Sequence, residues 1–250
     1  MTIRTPDNLT AVVLAGGRGS RLMPHTAEIP KPLVEIGGRP VVEYLLGQLK
    51  KGGIGRVVMA VSHMADQIET RLGGGSRFGL QIEYSQEPNQ LSTVGPLKLI
   101  KDLPQNFVVA NGDILTDLNI GALHQAHLER SAELTVATYE GTERIDYGVL
   151  EFDTDSRVVS FTEKPDYSFV VSMGIYVFSR SVLDLVPDNE PYGFDQLMLD
   201  MLRHQRRVFA YPYGGFWRDI GRPADYEKAQ GDVERIRALV GQDPCGPDNR

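Results

Sequence analysis

A glycine- and arginine-rich segment follows the first apolar run of the chain. Residues 16–21 read GGRGSR and come directly after Ala11–Ala15. Glycine lets backbone N–H groups approach phosphate oxygens, and arginine adds charge-assisted hydrogen bonds to those oxygens. A P-loop needs Lys-Ser or Lys-Thr after its glycines, and a dinucleotide fingerprint needs glycine where Leu22 stands. The segment is therefore either a tight strand-to-helix turn or a loop of another type that wraps the triphosphate of a nucleotide.

A second unusual segment places Lys31 between Pro30 and Pro32. Proline fixes φ and disfavours helix for the residue before it. We therefore expect Lys31 on a stiff, extended segment, which suits a lysine directed at a fixed anion. A solvated lysine in a proline-rich loop is the alternative.

Two aspartates are candidates for holding a metal ion. Asp113 ends the apolar run Phe107–Asp113, and Asp219 lies in the segment WRDIG. Transfer of phosphoryl-type groups depends on charge neutralisation, and Mg²⁺ is usually held by one or two carboxylates together with phosphate oxygens. An aspartate at a strand end is also a common turn former or N-cap, so each residue alone leaves both interpretations open.

These motifs together resemble the signature of the sugar-1-phosphate nucleotidyltransferases, also called NDP-sugar pyrophosphorylases. The elements G-G-x-G-x-R-L-x-P-x-T, P-K-P-L and G-x-P are matched at residues 16–26, 30–33 and 38–40. The resemblance implies that Arg21 and Lys31 steady the triphosphate and the charge at the α-phosphorus. It also implies that Asp113 and Asp219 jointly bind Mg²⁺, the expected cofactor.

The resemblance extends to residues that would bind the two substrates. The expected nucleotide-binding residues are Leu14, Ala15, Gly16, Gly17, Gly19, Ser20, Arg21, Glu87, Thr93, Gly95, Asn111 and Gly112. The expected sugar-phosphate-binding residues are Tyr147, Gly148, Glu163, Lys164, Ser172 and Gly174. In the implied reaction, a sugar 1-phosphate oxygen attacks the α-phosphorus of an NTP and pyrophosphate leaves. The phosphate is already a nucleophile at neutral pH, so no histidine is needed as a base.

The segment that would contact the base is residues 91–97, LSTVGPL. It resembles the L-G-T-A-G-P-L of mannose-1-phosphate guanylyltransferases and departs from it at Ser92 and Val94. The resemblance implies GTP, with mannose 1-phosphate or a related hexose, heptose or cyclitol phosphate. Uridylyl, cytidylyl and thymidylyl transfer remain alternatives.

Two other classes of protein are possible. A glycosyltransferase of related fold usually has Asp-x-Asp at the central strand, and residues 113–115 read DIL. A non-catalytic, regulatory nucleotide-sugar-binding protein would be expected to lose one of Arg21, Lys31, Asp113 or Asp219, and all four are present.

Apolar strand patterns alternate with helical patterns along the chain, which predicts an α/β fold. We expect a Rossmann-like three-layer αβα arrangement with a mixed, mostly parallel central sheet and no C-terminal β-helix. Residues 1–240 would form one catalytic domain, with 1–110 mainly binding nucleotide, 111–240 mainly binding sugar phosphate, and 241–250 a flexible tail. The predicted helices are 41–49, 67–72, 94–101, 118–129, 194–203 and 223–239. His124 and His127, on the fourth of these, are expected to face solvent.

Composition limits the partners. The chain of 250 residues has 26 basic and 33 acidic residues and a net charge of −7, which disfavours nonspecific binding to nucleic acid or anionic membranes. Its single cysteine, Cys245, cannot form an internal disulfide. No signal-peptide pattern and no apolar run of about 20 residues is present, so we expect a cytoplasmic protein. A homodimer or higher homo-oligomer stays open.

Overall fold

The computed structural model describes residues 9–240, which contain thirteen β-strands and six α-helices. The strands are β1 (Leu9–Leu14), β2 (Glu35–Ile36), β3 (Arg39–Pro40), β4 (Ile54–Val61), β5 (Gln81–Gln86), β6 (Asn106–Asn111), β7 (Ile114–Thr116), β8 (Leu134–Arg144), β9 (Gly148–Phe152), β10 (Val158–Glu163), β11 (Asp166–Ser179), β12 (Val208–Tyr213) and β13 (Trp217–Asp219). The helices are α1 (Val41–Lys51), α2 (Ala65–Leu72), α3 (Ile120–Glu129), α4 (Phe194–Arg203), α5 (Pro223–Gly231) and α6 (Val233–Val240). Short 3₁₀ turns lie at Ser20–Leu22, Lys31–Leu33, Ser76–Phe78, Gly95–Leu99 and Arg180–Leu185.

Seven strands form the central sheet, in the order β12-β8-β11-β6-β1-β4-β5. All neighbours are parallel except β11, which runs antiparallel to both β6 and β8. The predicted mixed, mostly parallel sheet is therefore confirmed, and residues 9–240 contain no β-helix. Both halves of the chain contribute strands to this one sheet.

The sheet is covered on both faces, which explains why its strands are continuous apolar runs. Along β1, Ala11 and Val13 pack against α1, α2 and α3, whereas Val12 packs against α4 and the neighbouring 3₁₀ turns. A third apolar cluster, which includes Leu22, Tyr44 and Ile236, packs the C-terminal helices α5 and α6 against α1 and the 3₁₀ turn that follows the glycines.

Several predicted elements differ in detail. The helix predicted at 223–239 is two helices that meet at Asp232, next to Gly231, because both residue types are poor helix formers. The predicted helix 94–101 is the 3₁₀ turn Gly95–Leu99. Lys31 does not lie on an extended segment but begins a one-turn 3₁₀ helix; only Pro30 before it is extended.

The prediction that His124 and His127 face solvent is wrong, since the two side chains are 6% and 1% exposed. They share the face of α3 that also carries Ile120 and Leu123, at the i, i+3, i+4, i+7 spacing of a buried stripe. The His127 ring contacts polar side chains on three strands, namely Thr135, Asn106 and Ser179, at 2.9–3.2 Å. Hydrogen bonds to these partners offset the free-energy cost of burying the polar ring.

Two other predictions concern the C-terminal residues and membrane-spanning segments. The predicted tail 241–250 and Cys245 fall outside the described residues. Within residues 9–240, no helix combines the length and apolar character that crossing a membrane requires.

Candidate active site

The glycine-rich segment lies at the carboxyl end of the central strands. β1 ends at Leu14, whose carbonyl accepts a hydrogen bond of 2.9 Å from the N–H of Gly112, just past β6. Gly19 has φ +65°, and a Cβ there would meet the Thr26 side chain at 2.9 Å. The Thr26 hydroxyl donates to the Gly19 carbonyl at 2.8 Å, so this turn is fixed by a side chain that requires glycine opposite it. In open α/β sheets this edge is where ligands bind.

A cavity of about 670 Å³ opens over this edge. Of the twelve residues expected to bind nucleotide, eleven line it: Leu14, Ala15, Gly16, Gly17, Gly19, Ser20, Arg21, Glu87, Thr93, Asn111 and Gly112. Gly95 does not. Its N–H donates to the Tyr192 carbonyl, and a Cβ there would meet the Glu190 carbonyl at 3.1 Å, so its backbone packs closely against residues 190–192.

The cavity is also lined by residues that were not among those predicted to bind nucleotide. They are Pro32, Ala60, Gln90, Ser92, Pro96, Pro191 and Gly221. Ser92 and Pro96 lie within the recognised segment 91–97, so the motif carried a signal for them. Pro191 comes from the second half of the chain, and only the tertiary pairing of Tyr192 with Leu91 brings it there.

Lys31 and Asp113 line this cavity, and Asp219 lies beside them. The Lys31 ammonium donates a short hydrogen bond to Asp113 Oδ2 and lies 3.9 Å from Asp219 Oδ1. A short ladder places the two carboxylates side by side, since β7 pairs with β13 in a register that sets Ile114 opposite Asp219. The Ile220 N–H also donates to the Asp113 carbonyl at 3.1 Å. The pairing thus joins positions far apart in sequence.

The electrostatics of this pair fit a divalent cation. Burial, and then the charge of Asp113, raise the pKa of Asp219 to about 6, even though Lys31 acts in the opposite direction. Because folding raises the pKa of this carboxyl, protonated Asp219 stabilises the folded protein. This contribution to the free energy of unfolding is fully present below the ordinary pKa of an aspartate and is lost as the pH rises through about 6. Asp219 Oδ1 is buried and accepts no hydrogen bond. A cation bound by Asp113 and Asp219 would give this unpaired carboxylate oxygen a partner. Within residues 9–240 no group of three or more acidic, histidine or cysteine side chains offers a fuller metal site.

Glu87 is a buried carboxylate that also lines the cavity. Its Oε2 accepts a 2.9 Å hydrogen bond from the Leu91 N–H, and burial raises its pKa. Its Oε1 lies against Gly16, where an added Cβ would meet it at 2.3 Å. One carboxylate oxygen is therefore anchored to the backbone. The other lies beside a cavity-lining glycine.

The residues expected to bind the sugar phosphate do not line this cavity. Tyr147, Gly148, Glu163 and Lys164 are exposed and lie where a two-stranded ribbon, β9 with β10, leaves the β8–β11 ladder. Gly148 pairs with Glu163, so the structure brings these two together. Lys164 has φ +45°, a strained conformation for a lysine and one that is often found at functional sites.

Ser172 and Gly174 lie closer to the cavity, on β11. Gly174 has φ +73° at the irregularity of the β8–β11 register, and a Cβ there would meet the cavity-lining Asn111 at 2.6 Å. Trp217 donates from its ring nitrogen to the Met173 carbonyl at 3.0 Å. This stretch of β11 therefore connects the exposed ribbon to both the cavity described above and the strand that carries Asp219.

Comparison with known proteins agrees with this arrangement. The profile of the nucleotidyl transferase family matches residues 10–236. The chain is 34% identical over 223 residues to the mannose-1-phosphate guanylyltransferase catalytic subunit beta of Drosophila pseudoobscura pseudoobscura, covering 86% of this chain and 60% of that protein. It is 33% identical over 241 residues to a UTP–glucose-1-phosphate uridylyltransferase of Synechocystis, covering 88% of this chain and 62% of that one.

A solved structure is similar over its whole length. HddC from Yersinia pseudotuberculosis, crystallised with GMP-PN, has a TM-score of 0.68 and 28% identity, covering 90% of this chain and 99% of that one. The chain spans about 60% of the length of the guanylyltransferase it matches. The family predicted from the motifs is confirmed, because the profile covers most of the sequence. This protein belongs to the nucleotidyl transferase family.

Proposed function

We propose that the protein transfers a nucleotidyl group from an NTP to a sugar 1-phosphate, giving an NDP-sugar and pyrophosphate. The observation that carries the proposal is the cluster of Lys31, Asp113 and Asp219, the first two of which line a cavity bordered by the glycine-rich segment. The family supports the reaction class.

Each group of site residues would have a different role in this reaction. The backbone N–H groups of residues 16–21 and the Arg21 guanidinium would hold the triphosphate. Lys31 would donate to oxygens at the α-phosphorus, where negative charge develops. A sugar 1-phosphate oxygen forms the new bond to that phosphorus, the bond to the β-phosphate breaks, and pyrophosphate leaves in line. Asp113 and Asp219 would hold Mg²⁺, which when bound offsets the repulsion between the two anionic substrates.

Guanine is the base that Glu87 fits best. Guanine presents two adjacent donors, N1–H and the 2-amino group, whereas uracil and thymine present one donor between acceptors. A carboxylate accepts both donors, and the anchored Glu87 has an oxygen beside the cavity. The guanylyltransferase relative and the GMP-PN complex of HddC support the same base. The uridylyltransferase relative keeps UTP as the second candidate.

Glu87→Gln tests the choice of base. The amide turns one acceptor into a donor and removes the charge, so kcat/KM with GTP should fall about 5- to 150-fold, from a loss of 1–3 kcal/mol. The values with other NTPs should change far less. Glu83→Gln is the matched control, because Glu83 lies on β5, which ends one residue before Glu87, and pairs with Arg56. An equal loss with every NTP would remove Glu87 from base recognition.

For the acceptor we propose mannose 1-phosphate or a related hexose, heptose or cyclitol phosphate, bound through Tyr147, Gly148, Glu163, Lys164, Ser172 and Gly174. Lys164 would contact the phosphate, and Glu163 a sugar hydroxyl. Lys164→Ala should therefore raise KM for the sugar phosphate more than KM for the NTP. The reverse pattern would mean that the two sites are exchanged.

A pyrophosphate-release assay with Mg²⁺ tests the function itself. It would cross GTP, UTP, CTP, dTTP and ATP with a panel of sugar 1-phosphates. Release that requires one particular pair supports the proposal and identifies both substrates. No release, together with nucleotide-dependent thermal stabilisation, would instead point to a non-catalytic nucleotide-sugar-binding protein.

A further inference from the structure

Ser92 lines the cavity in a backbone conformation that favours glycine. Its φ is +66°, in the left-handed region where residues with a side chain are strained. Of the seven non-glycine residues with positive φ in residues 9–240, Ser92 alone lines the cavity of about 670 Å³. Such strain beside a ligand site is a reason to ask what the side chain contributes there.

The conformation of Ser92 is imposed by hydrogen bonds on both sides of it. The Tyr192 N–H donates to the Leu91 carbonyl at 3.0 Å, and the Gly95 N–H donates to the Tyr192 carbonyl at 3.0 Å. Residues 92–94 therefore form a short loop that Tyr192 holds at both ends. The position of the serine side chain is thus fixed before any ligand binds.

The hydroxyl of Ser92 is available to a ligand. The residue is exposed, and within residues 9–240 its hydroxyl takes part in no hydrogen bond. The next hydroxyl along the chain is occupied, because Thr93 Oγ1 accepts a 2.8 Å hydrogen bond from the Phe194 N–H. Gly193 leaves room for the serine, since a Cβ at residue 193 would lie 3.3 Å from Ser92 Oγ. A serine hydroxyl can donate one hydrogen bond.

Ser92 also lies close to the carboxylate that we propose contacts the base. Glu87 Oε2 accepts a 2.9 Å hydrogen bond from the Leu91 N–H, one residue before Ser92. Glu87 and Ser92 both line the cavity. A fixed acceptor and a fixed donor therefore lie near each other, and neither belongs to the glycine-rich segment that would hold the triphosphate.

We infer that the Ser92 hydroxyl donates a hydrogen bond to a carbonyl oxygen of the nucleobase, beside the ring N–H that Glu87 accepts. This inference rests on the proposed function and deepens it. Guanine, uracil and thymine each present a ring N–H next to a carbonyl oxygen. Adenine and cytosine present a ring-nitrogen acceptor next to an amino group, so in the same orientation they would set a lone pair against the carboxylate. The two side chains together therefore select keto bases and reject ATP and CTP.

Calorimetric titration of the full chain with nucleotide and Mg²⁺ tests this contact without requiring turnover. GTP is compared with 6-thio-GTP, and UTP with 4-thio-UTP, because sulfur is a weak acceptor in place of the carbonyl oxygen. The wild-type chain should bind the oxo form of its own nucleotide about 3- to 10-fold more tightly than the thio form. In Ser92→Ala the affinity for the oxo form should fall by about that factor, and the preference should disappear.

A second replacement separates the hydroxyl from the backbone strain. Alanine keeps the Cβ and therefore the strain, whereas glycine relieves it. Ser92→Gly should thus have a higher Tm than Ser92→Ala, while the two variants bind nucleotide equally weakly. Ser131→Gly is the matched control, because Ser131 has φ +47° and lies between α3 and β8, outside the cavity. It should leave the affinity for nucleotide unchanged.

Several results would overturn the inference. They are a wild-type chain that binds no nucleotide, that prefers ATP or CTP, or that binds oxo and thio forms equally. An equal loss for both forms in Ser92→Ala would place the hydroxyl against the ribose or the phosphates. A preference lost in Gln90→Ala instead would assign the contact to Gln90, which also lines the cavity.

Failure of the inference and failure of the proposed function are distinguishable. Nucleotide binding that depends on the Ser92 hydroxyl, without pyrophosphate release, would support the contact and contradict the reaction. Pyrophosphate release with a kcat/KM that Ser92→Ala leaves unchanged would support the reaction and contradict the contact.

Discussion

The contact between Gly16 and Glu87 allows a prediction whose size follows from the structure. In Gly16→Ala the new Cβ would meet Glu87 Oε1 at 2.3 Å. The carboxylate must retreat by about 1 Å to reach an ordinary contact distance. Oε2 is 2.9 Å from the Leu91 N–H, so this retreat takes it out of hydrogen-bond range. A hydrogen bond to a charged group contributes about 1.5–3 kcal/mol.

The matched control is one residue away. Gly17→Ala places a Cβ in open space, with nothing within 4 Å, and neither glycine has a positive φ. Both variants gain the same small entropic stabilisation from a less flexible unfolded chain. Their difference in the free energy of unfolding should therefore be about 1.5–3 kcal/mol, or roughly 3–12 °C in Tm for a chain of this size.

Thermal unfolding without nucleotide measures this difference, because no ligand then contacts either alanine. In a Glu87→Ala background only the Ser62 Cβ, at 3.2 Å, remains close to the new Cβ, so most of the penalty of Gly16→Ala relative to Gly17→Ala should disappear. Equal Tm values for the two single variants would refute the reasoning, and so would the same penalty for Gly16→Ala in both backgrounds.

Three further predictions follow from the site and the core. Burial lowers the pKa of His127 to about 4, so the free energy of unfolding should fall by up to about 3 kcal/mol as the pH is lowered from 6.5 towards 4. Urea titrations at each pH measure this loss. His127→Gln should flatten the pH dependence, and His204→Gln, at an exposed position, should not. Because Asp219 has a pKa raised to about 6, a proton competes with metal below that pH, so the Tm increase caused by Mg²⁺ should be large at pH 7.5 and small at pH 5; an equal increase at both would place the metal elsewhere. Lys31→Met removes the positive charge beside both carboxylates, so it should raise the pKa of Asp219 further and lower kcat, and an unchanged kcat would make Lys31 a structural residue.

Much of the fold could be predicted because the central strands are buried on both faces. Runs such as Ala11–Ala15 are apolar without alternation, and that pattern, followed by glycines, is specific to the inner strands of an α/β sheet. The cavity residues next to these strands were predictable for the same reason, since parallel strands end at one edge of the sheet. The sequence therefore located most of the residues that line the cavity.

What escaped prediction depends on contacts between distant segments. The His127 ring is buried because polar groups from three strands surround it, and no local pattern contains those partners. The pairing of β7 with β13, which sets Asp113 beside Asp219, involves two strands of three residues each, too short for a periodicity to be read. β9 and β10 pair with each other away from the central sheet, with an apolar face exposed, and nothing in their sequence indicated this pairing.

The central claim is that Asp113 and Asp219 act as one metal-binding unit at the reacting phosphorus. The most direct measurement is a double-mutant cycle of Asp113→Asn and Asp219→Asn, with kcat from pyrophosphate release and affinity for Mn²⁺ from calorimetry. Asp188→Asn, at a side chain that is 79% exposed, is the control. Each single variant should lose metal binding and at least about 10²-fold in kcat, and the double variant should lose little more, because residues of one unit are not additive. Near-wild-type turnover in either single variant, or losses that simply multiply, would contradict the account.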